Sequence, residues 1–250
     1  MKNAIQLYSI KETCENNLNF ALKTMSELGY EAVEFASFFN YTADQINEML
    51  KRYNLKVAGA HIDEKQIFED IDATISYQKA IGNKRIICPW SDLNSKEDVI
   101  NFVEKIKAVA PKYNENGLKL YYHNHSHEFK MDNGQYLLDM LYELTTPDEL
   151  WFELDLYWVF RGGANPIYYL KKYKNRMDIF HAKDGTSSKG TPVGDGVLPY
   201  DEILNKARKY EMKYVVAECE SATTQDSELY DAKISANYLI KNAKKAKENN

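Results

Sequence analysis

The chain has 250 residues, of which 44% are hydrophobic and 28% are charged. This composition is typical of a globular protein and too hydrophobic for a disordered one, and the length suits one large domain or two smaller ones. The net charge of -5 argues against nucleic acid as a partner, because nucleic-acid binding requires a basic surface that displaces counterions.

The cysteines and the N-terminal segment give expectations about the compartment. Cys14, Cys88 and Cys219 are widely spaced and form no CxxC pair, so we expect reduced thiols rather than disulfides or a zinc ribbon. The segment MKNAIQLYSIKET lacks the apolar core of a signal peptide, and no apolar run approaches the length that spans a membrane. We therefore expect a cytoplasmic protein that has no membrane partner.

Short apolar runs alternate with longer helical patterns along the whole chain, which is typical of parallel βαβ units. The pattern predicts eight strands. In chain order they are Ala4–Ser9, Ala32–Phe35, Lys56–His61, Arg85–Pro89, Leu118–His123, Leu150–Asp155, Met177–Lys183 and Tyr214–Glu218.

Several predicted helices carry boundary signals with a physical basis. Gly29 lies where a helix C-terminal cap belongs, after an apolar stripe of period 3.6. Thr42 with Gln45, and Ser95 with Asp98, have the spacing of capping boxes that satisfy the first free N–H groups of a helix.

No linker or change of composition divides the chain, so we predict a single domain over residues 1–250. An open, doubly wound α/β sheet would show the same alternation of elements. The chain has no G-x-G-x-x-G after its first strand, which such a dinucleotide-binding sheet would carry. Eight units and the missing fingerprint favour an α/β fold of the closed (β/α)₈ TIM barrel type.

Polar side chains are concentrated where the predicted strands end. In barrels of this type, active sites form at the C-terminal ends of the strands. Residues two apart on a strand point the same way, so His123 and His125, or His181 and Lys183, can face the barrel mouth together. The candidates in chain order are Glu34, His61, His123, His125, Glu128, Asp155, His181, Lys183 and Glu218.

These ionisable groups predict a bound metal. Several inward-facing charges would be costly in a barrel unless they were paired or bound a cation. Mixed His and carboxylate ligands suit a divalent transition metal better than Ca²⁺, which takes oxygen ligands only. We expect Mn, Zn, Co, Mg or Fe and leave the choice among them open.

Six segments are similar to those of a known family. They are IQLYSI, YYHNHSHEF, ELDLYWVFRGG, FHAKDG, VGDGVLPY and VVAECE. The chain resembles, over nearly its whole length, the xylose-isomerase-like sugar isomerase/epimerase family, which also contains inosose dehydratases and endonuclease-IV-like proteins.

The resemblance implies a set of metal ligands. Members of the family hold a metal with Glu, Asp, His and Glu from four successive strands, and the last three match Asp155, His181 and Glu218. The first Glu falls on His123 in this sequence. The implied metal ligands are therefore His123, Asp155, His181 and Glu218.

The resemblance also implies roles for the remaining candidates. Epimerases of the family use their two Glu residues as an acid/base pair, of which only Glu218 is kept here. The implied catalytic residues are Glu218, His123, His125 and Lys183. The implied substrate-binding residues are Glu34, His61, Glu128 and Trp158, with Glu128 also an alternative base, and Trp158 either stacks on a sugar or only packs.

The activity implied by the resemblance is that of a sugar isomerase or epimerase, which abstracts a proton next to a carbonyl through a metal-stabilised enediolate. A lyase acting on keto-inositols or 3-keto-glycosides is an alternative. A non-catalytic sugar-binding barrel is a second one. The expected partner is a sugar-derived small molecule, and assembly into a homo-oligomer is left open.

Overall fold

The computed structural model describes residues 1–221 and 224–248. Eight strands are hydrogen-bonded in the cyclic order β1-β8-β7-β6-β5-β4-β3-β2 and form a closed barrel. They are β1 (Lys2–Gln6), β2 (Ala32–Phe35), β3 (Lys56–His61), β4 (Arg85–Cys88), β5 (Lys119–His123), β6 (Trp151–Asp155), β7 (Ile179–Ala182) and β8 (Tyr214–Ala217). This topology confirms the predicted (β/α)₈ barrel and excludes the open sheet.

Helices follow the strands along the chain. They are α1 (Lys11–Glu27), α2 (Ala43–Arg52), α3 (Glu64–Phe68), α4 (Ile71–Ala80), α5 (Lys96–Glu115), α6 (Leu137–Leu144), α7 (Leu156–Arg161), α8 (Pro166–Tyr173), α9 (Tyr200–Lys209) and α10 (Gln225–Glu248). Short 3₁₀ turns lie at Leu7–Ile10, His127–Phe129 and Lys174–Arg176. Among the helices so described, none is both long and apolar enough to cross a membrane.

Each predicted strand overlaps an observed one, and the predicted ends lie within two residues of the observed ends except at the end of β1. The side chain of Gln6 accepts a hydrogen bond from the Tyr8 N–H at 3.1 Å. This bond starts a 3₁₀ turn at Leu7, so β1 ends three residues before the predicted Ser9. The capping box of Thr42 and Gln45 is present at the start of α2.

Two compact units divide the described chain. One consists of residues 1–58 with 178–250, and the other of residues 59–177. In the first unit, β1 pairs with β2 and β8, with Gln6 level with Glu34, and β8 pairs with β7, with Val216 level with His181. The prediction of one domain over residues 1–250 stays a prediction.

The second unit contains β4, β5 and β6 in parallel register, with His123 of β5 level with Glu153 of β6. Its core is aromatic and aliphatic: Phe102 of α5 packs edge-on against the fully buried ring of Tyr122 on β5. Burial of each such side chain contributes about 1.5–3 kcal/mol, which fixes the strands and therefore their C-terminal ends.

The segment after β7 is organised by one buried carboxylate. Asp184 accepts backbone hydrogen bonds from Gly185 and Leu198 on one oxygen and from Gly194 and Gly196 on the other, at 2.8–3.2 Å. A Cβ added to Gly196 would overlap the Asp184 carboxylate, so only glycine allows this approach. Gly196 is therefore needed for the packing around Asp184.

Replacing Asp184 with Asn should destabilise the protein. An amide nitrogen would face two backbone N–H donors, and hydrogen bonds to charged groups contribute about 1.5–3 kcal/mol each. We expect the free energy of unfolding, measured by chemical denaturation, to fall by about 2–4 kcal/mol. The control is Asp195→Asn, at an exposed position of the same segment. Equal stability of the two variants would contradict the role assigned to Asp184.

Candidate active site

The first unit gathers a buried charged network at the ends of β1, β2, β7 and β8. His181 lies between two carboxylates, with its Nε2 atom 2.7 Å from Glu34 Oε1 and its Nδ1 atom 3.2 Å from Glu218 Oε2. Gln6 donates a further hydrogen bond to Glu34 at 2.7 Å. These residues, together with Lys183, are called the His181 cluster below.

Lys183 supplies the fixed positive charge of this cluster. Its ammonium lies 3.3 Å from Glu218 and 2.9 Å from Glu220, and its side chain is 2% exposed. The hydroxyl of Tyr200 donates to the Lys183 carbonyl at 2.7 Å, which holds the backbone at this point. Glu220 is 38% exposed, so the ammonium connects the buried carboxylate to a solvent-facing one.

The second unit has its own cluster at the ends of β3, β5 and β6. Glu153 is fully buried, and its Oε2 atom lies 3.1 Å from His61 Nε2 and 3.4 Å from His123 Nδ1. The two imidazole rings lie 5.0 Å apart. One candidate ligand atom from each of these three residues lies within 4.8 Å of the others, and we call them the Glu153 cluster.

Asp155 adds a carboxylate to this unit and caps a helix as well. Its Oδ1 atom accepts from the N–H groups of Tyr157 and Trp158 at 2.8 and 2.9 Å, which satisfies the first turn of α7. Asn124 on the neighbouring segment accepts the Asp155 N–H at 3.0 Å. A carboxylate oxygen of Asp155 lies within 4.8 Å of a ring nitrogen of His123. Asp155 is thereby held beside His123.

Glu128 is buried and positions its neighbours. Its carboxylate accepts the Tyr122 hydroxyl at 2.7 Å and the His125 N–H at 2.9 Å, and it lies 3.4 Å from His127 Nδ1. Burial raises the pKa of Glu128 above its usual range, against the opposing effects of His127 and Tyr122. Glu128 is fully buried and holds the backbone of His125, and the prediction that it binds substrate stays a prediction.

Aromatic rings surround His125 on several sides. Its ring lies 5.0 Å from His123, 4.8 Å from Trp90 and 5.5 Å from Trp158. Trp158 is partly exposed on the first turn of α7, three residues after β6 ends at Asp155. His125 therefore lies between the Glu153 cluster and two tryptophans.

The candidates from the sequence fall into two groups within the two units. Glu34, His181, Lys183 and Glu218 come together in the first unit, and His61, His123, His125, Glu128, Asp155 and Trp158 lie near one another in the second. Sequence reasoning missed Glu153. A signal was present, since Glu153 lies two residues before Asp155 and so faces the same side of β6.

The chemistry of both groups suits a divalent cation. Glu34 and Glu218 in the first unit, and Glu153 and Asp155 in the second, are carboxylates that are at most 5% exposed. Each group also offers at least one buried imidazole. Clusters of buried imidazole and carboxylate are the donors that divalent transition metals take in proteins, and a cation would offset the excess of negative charge.

The cysteines behave as apolar filling. Cys14, Cys88 and Cys219 are free and buried. Burial raises the pKa of Cys219 to about 11 and that of Cys14 to about 12, so both are thiols at neutral pH. This agrees with the expectation of reduced thiols.

Comparison with known proteins gives relatives of two kinds. An inosose dehydratase of Geobacillus kaustophilus is 26% identical over 188 residues, which cover 65% of this chain and 60% of that protein. A crystal structure of a sugar phosphate isomerase/epimerase from Parabacteroides distasonis superposes with a TM-score of 0.85 at 20% identity, over 96% of this chain and 98% of that one. A probable 3-DHS dehydratase from Bacillus anthracis has a TM-score of 0.75 at 15% identity, over 96% and 99%.

The matched stretch spans about three fifths of the length of the curated relatives. The solved structures share the barrel fold with this chain. The profile of one family, described as the xylose isomerase-like TIM barrel, matches residues 22–242. Since this match covers most of the chain, the protein belongs to the xylose isomerase-like TIM barrel family.

Proposed function

We propose that this protein is a divalent-metal-dependent isomerase or epimerase that moves a proton at the carbon next to the carbonyl of a keto-sugar. The observation that carries the proposal is the concentration of buried imidazoles and carboxylates at the C-terminal ends of the strands. In barrels of this type, that edge is where chemistry takes place. The relatives of this chain include proteins named sugar phosphate isomerase/epimerase and inosose dehydratase.

The proposed cation ligands are His123, Asp155, His181 and Glu218. All four are buried, and each offers a nitrogen or carboxylate oxygen of the kind that a metal ion takes. The set gives two neutral and two anionic ligands, which balances the charge of a divalent cation. When bound, such a cation would polarise the carbonyl and a neighbouring hydroxyl of the sugar.

The remaining roles follow from the contacts of each side chain. Glu218 is the proposed base, because Lys183 at 3.3 Å is placed to stabilise its anionic form and to neutralise negative charge on the substrate. His125, next to His123 at 5.0 Å, is the proposed acid that returns the proton. His61 contacts Glu153, which in turn contacts His123, and Glu34 contacts His181 directly. Trp158 is the proposed surface for the sugar ring.

A dehydratase is the second candidate, and Lys183 is the observation that favours it. Elimination requires an acid that protonates the departing β-hydroxyl, so that water leaves as the C–O bond breaks. A buried ammonium between Glu218 and Glu220 is placed near the proposed base and can give up a proton. The substrate would then be a keto-inositol or a 3-keto-glycoside. A barrel that only binds sugar is the outcome if no turnover occurs.

Cation binding can be separated from helix capping at Asp155. In Asp155→Asn, the side-chain carbonyl can still accept the N–H groups that start α7, whereas the charge is lost. We expect calorimetric titration with Mn²⁺ or Co²⁺ to show binding to the wild type that weakens at least tenfold in Asp155→Asn and in His181→Gln.

The matched control is His127→Gln, because His127 lies outside the proposed ligand set and contacts the Ser91 carbonyl instead. It should bind the cation as the wild type does. The ligand set is wrong if neither cation binds the wild type, or if His181→Gln and His127→Gln have equal affinities.

The proton transfer is tested by exchange with solvent. The protein loaded with Mn²⁺ is incubated in D₂O with a panel of keto-sugars, keto-inositols and 3-keto-glycosides, and the products are examined by NMR. For an isomerase or epimerase we expect one deuterium at the carbon next to the carbonyl, and for either activity a Glu218→Gln variant at least a hundredfold slower. A new stereocentre indicates an epimerase, and loss of water indicates a dehydratase, in which the abstracted proton is not replaced at that carbon. An isomer or epimer formed without deuterium would contradict proton abstraction.

A further inference from the structure

A cavity of about 550 Å³ lies beside the end of β4 in the second unit and takes no part in the mechanism above. Pro89 and Trp90, which directly follow β4, form one side, and Phe102 and Asn101 of α5 lie in its wall. Its volume falls within the range of pockets that bind small molecules, about 300–1,000 Å³. The cavity is therefore large enough for a sugar ring.

Trp90 is held in place although it is 49% exposed. Its indole N–H donates to Asp92 Oδ1 at 3.2 Å, and its ring packs against His127 with the centroids 4.3 Å apart. An exposed indole fixed at both its nitrogen and one face leaves the other surface available to a ligand. The C–H face of a pyranose ring is apolar and weakly positive, which suits the negative face of an indole.

The charges around the cavity select against anions. Four carboxylates line it, from Asp63, Glu64, Asp92 and Asp98. Among the lining residues, all of which the structure describes, Lys105 is the one cation, and it lies 3.6 Å from Glu64. A phosphate or carboxylate group would be repelled here, whereas the hydroxyls of a neutral sugar can donate to the carboxylate oxygens.

The cavity is connected to the candidate active site by adjacent rings. His125 lies 4.8 Å from Trp90 on one side and 5.0 Å from His123 on the other. A ligand in contact with Trp90 would thus be separated from His123 by one imidazole ring, that of His125. A second sugar joined to the reacting one by a glycosidic bond could occupy both positions.

We propose that the cavity beside Trp90 binds a second, uncharged sugar ring, so that the substrate is a glycoside rather than a sugar phosphate. This inference deepens the proposed function and rests on it for the identity of the reacting ring alone. The binding of a neutral sugar against Trp90 stands on the cavity itself. It assigns Trp90 to sugar contact and Asp92 to fixing the indole.

The test is saturation-transfer NMR on the full chain with no cation added. The probes are the neutral disaccharides cellobiose, maltose and sucrose, and the charged monosaccharide glucose 6-phosphate. We expect saturation of the ring protons of at least one disaccharide, at least fivefold less in Trp90→Ala, and partial retention in Trp90→Phe. Glucose 6-phosphate should show at least fivefold less transfer than that disaccharide.

The control is Trp151→Phe, since Trp151 contacts the Pro147 carbonyl and Lys119 and lines no part of the cavity. It should bind the disaccharide as the wild type does. The proposal is overturned if no disaccharide binds, if Trp90→Ala binds as well as Trp151→Phe, or if glucose 6-phosphate binds equally well. If a disaccharide binds as expected but the D₂O experiment shows no deuterium in the products, only the proposed chemistry is contradicted.

Discussion

Burial of carboxylates at the strand ends is the constraint on which the arrangement of the site depends. A carboxylate taken out of water costs several kcal/mol unless partners replace its hydration. In the first unit, His181 and Lys183 replace the water that Glu34 and Glu218 have lost. Removing any one partner would leave a buried charge uncompensated, so these residues must be retained as a set.

The second unit meets the same requirement with different partners. Two imidazoles surround Glu153, whereas Asp155 receives backbone N–H groups from the start of α7. A helix start carries partial positive charge, which stabilises an anion without using a cationic side chain. Backbone dipoles therefore take part in compensating the charge of Asp155.

Two further carboxylates accept hydrogen bonds from backbone N–H groups. Asp184, which directly follows Lys183 in sequence, accepts hydrogen bonds from four backbone N–H groups. Glu128 accepts the N–H of His125. Each lies close in sequence to a proposed catalytic residue and fixes the chain on which that residue is carried. The backbone that carries Lys183 and His125 is thereby fixed by buried carboxylates next to it in sequence.

The sequence was sufficient for the barrel and for most of the strand-end residues. Alternation of apolar runs and helical patterns is a local property, and the parallel βαβ order brings strand-end residues such as Lys183 and Glu218 to the same edge. The Gln6 turn was not predictable from that pattern, because it depends on one side-chain hydrogen bond. The cavity beside Trp90 was not predictable either, since it depends on how α5 packs beside β4.

His123 shows how the site can keep its chemistry after a change of ligand. The family resemblance implies a Glu at this position, and an imidazole removes one negative charge from the proposed cation site. With Asp155 and Glu218 as the only anionic ligands, a divalent cation would retain more of its charge for the substrate carbonyl. A different carboxylate lies close by, because Glu153 Oε2 is 3.4 Å from His123 Nδ1. A carboxylate behind a ligating imidazole orients the ring and increases its basicity, so Glu153 would be the partner of His123 if this residue holds the proposed cation.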